Sequence, residues 1–344
     1  MLQNLPDTCD DLICNDLSPA ALAALASTCN DANGRVKSYQ TRGFSLDHLL
    51  APFFTTQDVL KFRVIQSKTD AVISGSTAVQ FFARTRYPMT DLDIYVPHQH
   101  AYTIGAWLQE IGYQYQRSTR TLDFALAYLA ASADQFPVEP DLYPQKGISA
   151  VFSFKNHGQR RGIHLISVEY SPLEAILQFH STCVMNFIAY DHAVSLYPDA
   201  TFEKHVSLIC HADSPEHDAA RAKYQARGWK MINNLSATEC TDLKSDFCVG
   251  HRFVSDKHCW TIPLGPILTH RMTNFEANSW THGYDPVLQG RPVAYRLNSP
   301  TSSARYLVAH DDIIRPPKLK NAYSDDEDIG KVLAFYNINL ARYH

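Results

Sequence analysis

The stretch DAVISGSTAVQFFARTRYPMTDLDIYV, from Asp70 to Val96, decides the fold. Ala71-Val72-Ile73 is a short apolar run, too brief for a helix and suited to a buried strand. Gly75-Ser76 turns the chain into a helix carrying Val79 and Phe82. That helix stops before Tyr87-Pro88, because a residue preceding proline is pushed out of the α region. Leu92, Ile94 and Val96 then alternate with Asp91, Asp93 and Tyr95, the period of a half-buried strand.

Side chains two residues apart on a strand share a face, so Asp91 and Asp93 point the same way, roughly 7 Å apart. Two carboxylates so placed suit divalent ions, and Mg²⁺ takes carboxylate oxygens together with substrate phosphates. Two such ions roughly 4 Å apart would activate an attacking oxygen and stabilise a leaving pyrophosphate. Upstream, Gly75 permits close backbone approach, and Ser76 sits at a helix N-terminus whose N–H groups and dipole suit a phosphate. Strand, Gly-Ser helix start and Asp-x-Asp strand together describe a nucleoside triphosphate site.

Outward from this unit, residues 58–190 alternate between α and β. Residues 151–154 and 163–168 read as strands flanking the polar turn KNHGQRRG. Ser171-Pro172-Leu173-Glu174 is a capping box opening a long helix with Leu173, Ile176, Leu177, Cys183, Phe187 and Ile188 inward. Residues 1–50 form a helical module. Ser18-Pro19 starts a helix with Leu22, Leu25 and Cys29 on its apolar face, and a second helix through Val36 and Tyr39 follows an Asn33-Gly34 turn. In residues 191–344, a helix runs from Ser214-Pro215 to near Gly228, and 258–314 is rich in β and turn signals. Arg315-Pro316-Pro317-Lys318 reads as a linker or exposed loop. Ser324-Asp325-Asp326-Glu327 reads as the capping box of a final helix through Phe335, or as a site for an acid-directed kinase. The predicted class is α+β, a mixed sheet flanked by helices with a small helical N-terminal module. Its segments are 1–50, 58–190 and 191–344.

Composition narrows the function classes. The 344 residues are 45% hydrophobic and 19% charged, enough for a core and unlike fibrous or disordered chains. Net charge is −4, with 31 Lys+Arg against 35 Asp+Glu, so no overall field collects nucleic acid and no extended basic track is evident. No run approaches the roughly 18 apolar residues of a membrane span, and the acidic N-terminus lacks a secretory pattern. The expectation is an intracellular protein, cytoplasmic or nuclear, with no membrane partner. Eight irregularly spaced cysteines fit thiols in a reducing compartment better than a disulfide framework. Cys248, His251, His258 and Cys259 lack the paired spacing of zinc ligands. His98 and His100 read as a strand-end turn rather than a metal handle, Arg160-Arg161 as a hairpin tip rather than a phosphate fork, and His180 as a partly buried structural histidine.

The combination of Gly75, Ser76, Thr77, Ala78, Arg84, Asp91 and Asp93 resembles the nucleotidyltransferase superfamily typified by DNA polymerase beta, and especially its abortive-infection toxin branch. The resemblance covers roughly residues 70–190. It implies transfer of a nucleotidyl group from an NTP to an unknown acceptor. Gly75, Ser76 and Arg84 would hold the nucleotide, and Asp91 and Asp93 would bind Mg²⁺ or Mn²⁺ as catalytic ligands. The family places a third carboxylate on a later strand, and the matching position here is His164. Glu169 lies on the opposite face of a regular strand. Residues 1–50 resemble an F-box, with Leu5, Pro6 and Leu12 as the surface for a Skp-type adaptor of a cullin ubiquitin ligase. The whole chain is thereby similar to eukaryotic F-box-containing proteins of unassigned activity. The alternative function is therefore an adaptor whose nucleotidyltransferase-like domain is a catalytically degenerate binding platform.

Overall fold

Three helices open the chain, α1 (Thr8–Asn15), α2 (Pro19–Ala26) and α3 (Asn30–Gly43). The computed structural model describes residues 8–116, 123–133, 147–169, 171–210, 215–254, 256–267, 279–285 and 291–297. The expected residues Leu5 and Pro6, and the segments around 315–318 and 324–335, lie outside them. Ser18 caps α2 by accepting from the Ala21 N–H, and Pro19 occupies its first turn. Helix α3 starts earlier than the Asn33-Gly34 turn predicts, because the Cys29 thiol caps it at the Ala32 N–H. Burial of Ala32, Val36 and Tyr39 on one face then carries the helix through Gly34 against its low propensity.

The short α4 (Leu46–Leu50) and α5 (Thr56–Thr69) lead into the decisive unit, β1 (Val72–Ser74), α6 (Gly75–Ala83) and β2 (Leu92–Pro97). Its order is the expected strand–helix–strand. Beyond it come α7 (His98–Glu110), β3 (Gln114–Tyr115), α8 (Phe124–Ser132), β4 (Ile148–Lys155), β5 (Gly162–Val168) and α9 (Pro172–Leu177). The long helix expected from Ser171 ends at Leu177. Residues further on form a 3₁₀ turn and then β6 (Asn186–Ile188), which pairs with β1 and with β7 (His192–Ser195). The reason lies in β1. It is buried on both faces, so its second edge needs backbone partners, and Ile188 opposite Ile73 helps to supply them.

Eight strands make one mixed sheet in the order β11-β7-β6-β1-β2-β5-β4-β3, where β11 is Trp260–Pro263. Its β2–β5 pair is parallel, and all its other ladders are antiparallel. Two apolar clusters cover its faces. Ile73, Leu92, Ile94 and Leu165 belong to one, and Val72, Tyr95 and Ile166 to the other. Tyr95, expected on a half-exposed face, is 2% exposed, because the second cluster closes over it. The sheet also runs past residue 190, since β7 and β11 extend it.

After β7, a parallel pair, β8 (Val206–Leu208) and β9 (Lys230–Ile232), flanks α10 (Pro215–Ala226). Helix α10 matches the helix expected between Pro215 and Gly228. A capping box of Ser236 and Glu239 opens α11 (Ala237–Thr241). The strands β10 (Gly250–Phe253), β12 (Ser279–Asp285) and β13 (Arg291–Leu297) form a separate antiparallel sheet within and just before the region read as β-rich.

Candidate functional site

Strand register brings the carboxylates and the helix start together. Ser74, the last residue of β1, pairs with Asp93, so α6 begins beside that side chain. Gly75 sits at φ +64°, and a Cβ there would lie 2.5 Å from Asp93 Oδ2. Only glycine meets both demands without strain. Ser74, in the N-cap position, makes no side-chain cap and donates its hydroxyl to Asn186 O at 2.6 Å instead. The first-turn amides of α6 are thus not taken up by a capping side chain.

On the far side, β5 runs parallel to β2 with His164 opposite Asp93. His164 Nδ1 is 3.2 Å from Asp93 Oδ1, and Nε2 is 3.9 Å from Asp91 Oδ2. Asp91 Oδ1 accepts the Gly162 N–H at 2.6 Å. Burial disfavours the charged imidazole, but the hydrogen bond and charge of Asp93, with Asp91 behind it, outweigh burial and the opposing Lys155. The His164 pKa is raised as a result.

The third wall comes from α10, far away in sequence. Lys223 Nζ donates to Ser76 Oγ at 3.1 Å, and Arg227 reaches the same oxygen at 3.5 Å. Tyr224 OH shares it at 2.9 Å from inside the core. Arg227 is held over the Tyr87 ring, 3.7 Å from its centroid. Desolvation lowers the Lys223 pKa, Arg227 lowers it further, and Asp93 and Asp91 oppose both. Ser76, Asp91, Asp93, His164, Lys223 and Arg227, with Pro88, Met89 and Thr90, line one open groove of about 380 Å³. Its two ends carry opposite charge.

Of the residues named from sequence, Gly75, Ser76, Asp91, Asp93 and His164 converge here. Arg84 does not line the groove. It occupies the left-handed cap of α6, and its guanidinium donates to Cys14 O and Tyr39 OH, each at 2.7 Å, and to Leu17 O. It fastens the N-terminal helices to the sheet domain. Leu12 is 73% exposed, while Leu22, Val36 and Tyr39 of the same module face inward. Glu169 is exposed beyond β5, and its N–H bonds Gly147 O. His98 bonds Ser167 and Ser132 through its two ring nitrogens, and His180 is buried against Ser181. Sequence reading missed Lys223, Tyr224 and Arg227. Their signal was the spacing Lys223–Arg227, which puts two cations on one helical face.

Asp91 and Asp93 offer two carboxylates, and the third groove-facing donor in reach is an imidazole. Among the described residues, no group of three or more His, Cys, Asp or Glu side chains is arranged to hold a metal ion. Mg²⁺ commonly binds through one or two carboxylates with water and substrate phosphate. The donor set therefore fits a hard cation that arrives with phosphate oxygens. No known protein family, curated protein or solved structure matches the chain.

Proposed function

We propose that this groove binds the polyphosphate of a nucleoside triphosphate in the manner of a nucleotidyltransferase. The observation that carries the reading is the meeting of Lys223 and Arg227 on Ser76 Oγ, across the groove from Asp91 and Asp93. Two cations converge on a neutral hydroxyl at the start of α6, where amide N–H groups also point. A phosphate oxygen at that place would gain charge-assisted bonds from both. Ser76 and the α6 amides orient the phosphate chain, and the Arg227–Tyr87 stack fixes one donor in advance. Asp91 and Asp93 would hold Mg²⁺ or Mn²⁺. Such an ion neutralises phosphate charge and lowers the pKa of an attacking oxygen. Gly75 keeps Asp93 close to the phosphate end, because any side chain there would displace the carboxylate.

Calorimetric titration of the full chain with each NTP in Mg²⁺ tests the reading. Wild type should bind. The Asp91→Ala/Asp93→Ala pair and Lys223→Ala should each weaken binding about tenfold or more, as loss of a charge-assisted contact implies. Labelled NTP then reports whether the nucleotidyl group moves to an acceptor. Equal, negligible binding by wild type and both variants would remove the nucleotide reading.

A further inference from the structure

The carboxylate end of the groove is asymmetric. Toward Gly75 and Ser76, Asp93 Oδ2 lies against the glycine and the Asp91 side chain is 40% exposed. Toward β5, one imidazole ring spans both acids, with Nδ1 on Asp93 and Nε2 toward Asp91. The Gly162 N–H takes the other Asp91 oxygen on that same side. The His164 backbone is fixed by its place in a central ladder, between β2 and β4. Its ring is 23% exposed and is held by the bond to Asp93.

A pair of divalent ions about 4 Å apart needs bridging carboxylates and enough oxygen donors to fill two six-coordinate shells. Here the side where a second ion would complete its shell is occupied by a ring. That ring offers at most one nitrogen, a donor that Mg²⁺ ranks below oxygen. One ion on the exposed Asp91 carboxylate and a phosphate oxygen meets no such obstacle.

We infer that His164 restricts the groove to one divalent ion per bound nucleotide. The inference rests on the nucleotide reading above and specifies it further. It also assigns the fault to one side chain, so a single substitution should repair the ion site.

Mn²⁺ is the probe, because its unbound fraction is counted directly by electron paramagnetic resonance. The full chain is saturated with an α,β-methylene ATP analogue and titrated with Mn²⁺. Wild type should bind one Mn²⁺ per analogue. His164→Asp should bind two, with the half-saturating Mn²⁺ concentration lowered about tenfold, the scale of a gained or lost ligand-shell partner. His164→Ala, which removes the ring without adding a carboxylate, should stay at one. Thermal melts verify that each variant is folded. Two Mn²⁺ per analogue in wild type would overturn the inference whatever the variants do. So would a folded His164→Asp that binds analogue normally yet takes one Mn²⁺. Failure of wild type to bind the analogue at any Mn²⁺ concentration is a different result, and it strikes the nucleotide reading itself.

Discussion

At the scale of single residues, the site depends on Gly75 more than on any ordinary side chain. Its φ of +64° lies in the left-handed region, and its missing Cβ leaves the space that Asp93 Oδ2 fills. Gly75→Ala should destabilise the protein by about 1–2 kcal/mol through backbone strain and should also weaken nucleotide binding by pushing Asp93 away. Gly112→Ala is the matched control. That glycine also has positive φ, +96°, but nothing lies within 4 Å of its would-be Cβ. Urea denaturation should show a loss for both variants, and calorimetry should show weaker binding for Gly75→Ala alone. Equal binding by the two would mean that the contact with Asp93 does not matter. Sequence made Gly75 legible, because a glycine between a strand and a helix is already a request for unusual backbone. The importance of Ser76 was legible in the same way, but not its partners, since Tyr224 and Lys223 lie almost 150 positions further along.

Helices and strands show where local signals hold and where they yield. Helices α2, α6 and α10 begin where the Ser-Pro and Gly-Ser signals put them: Ser18 caps α2 within one turn, and Gly75 supplies the positive φ with which α6 starts. The stretch after Leu177 went the other way. Its apolar residues fit a helix face, yet the unpaired edge of β1 made a strand of residues 186–188, and no local pattern contains that edge. The family resemblance makes Arg84 a nucleotide contact, but its left-handed cap turns it toward α1 and α3. Arg84→Ala leaves the carbonyls of Cys14 and Leu17 without this donor. It should cost about 2–3 kcal/mol on the scale of lost charged hydrogen bonds. Hydrogen exchange should quicken across residues 8–43 before it changes in the central sheet. Uniform quickening of the whole chain would show that the helical module is no separate cooperative unit.

For the molecule as a whole, the two faces of one eight-stranded sheet hold the fold together, and a buried acid gives it a pH dependence. Asp246 is buried, accepts the Ala200 N–H at 2.8 Å and lies 3.8 Å from His258 Nδ1. Burial pushes its pKa up to about 6, against the opposing pull of Ala200 and Arg252. A raised carboxyl pKa means that the folded state binds the proton more tightly than the unfolded chain. Its contribution is therefore present below about pH 4 and is lost as pH rises through about 6. Asp246→Asn keeps an acceptor for Ala200 and removes that loss. It should stabilise the protein by about 1–2 kcal/mol near pH 7.5, with the gain vanishing near pH 4 in denaturant titrations. A pH-independent difference would locate the effect elsewhere. The sequence by itself determined the strand–helix–strand unit, the Gly75-Ser76 turn and the shared face of Asp91 and Asp93. Those follow from propensity, capping and the period of a strand, each complete within a few residues. Only the tertiary structure decided that His164 spans the two acids, that α10 brings Lys223 and Arg227 to Ser76, and that Arg84 serves the N-terminal helices. Each of these depends on which strand pairs with which and which helix crosses where, and the energies that choose those partners come from burial summed over the whole chain.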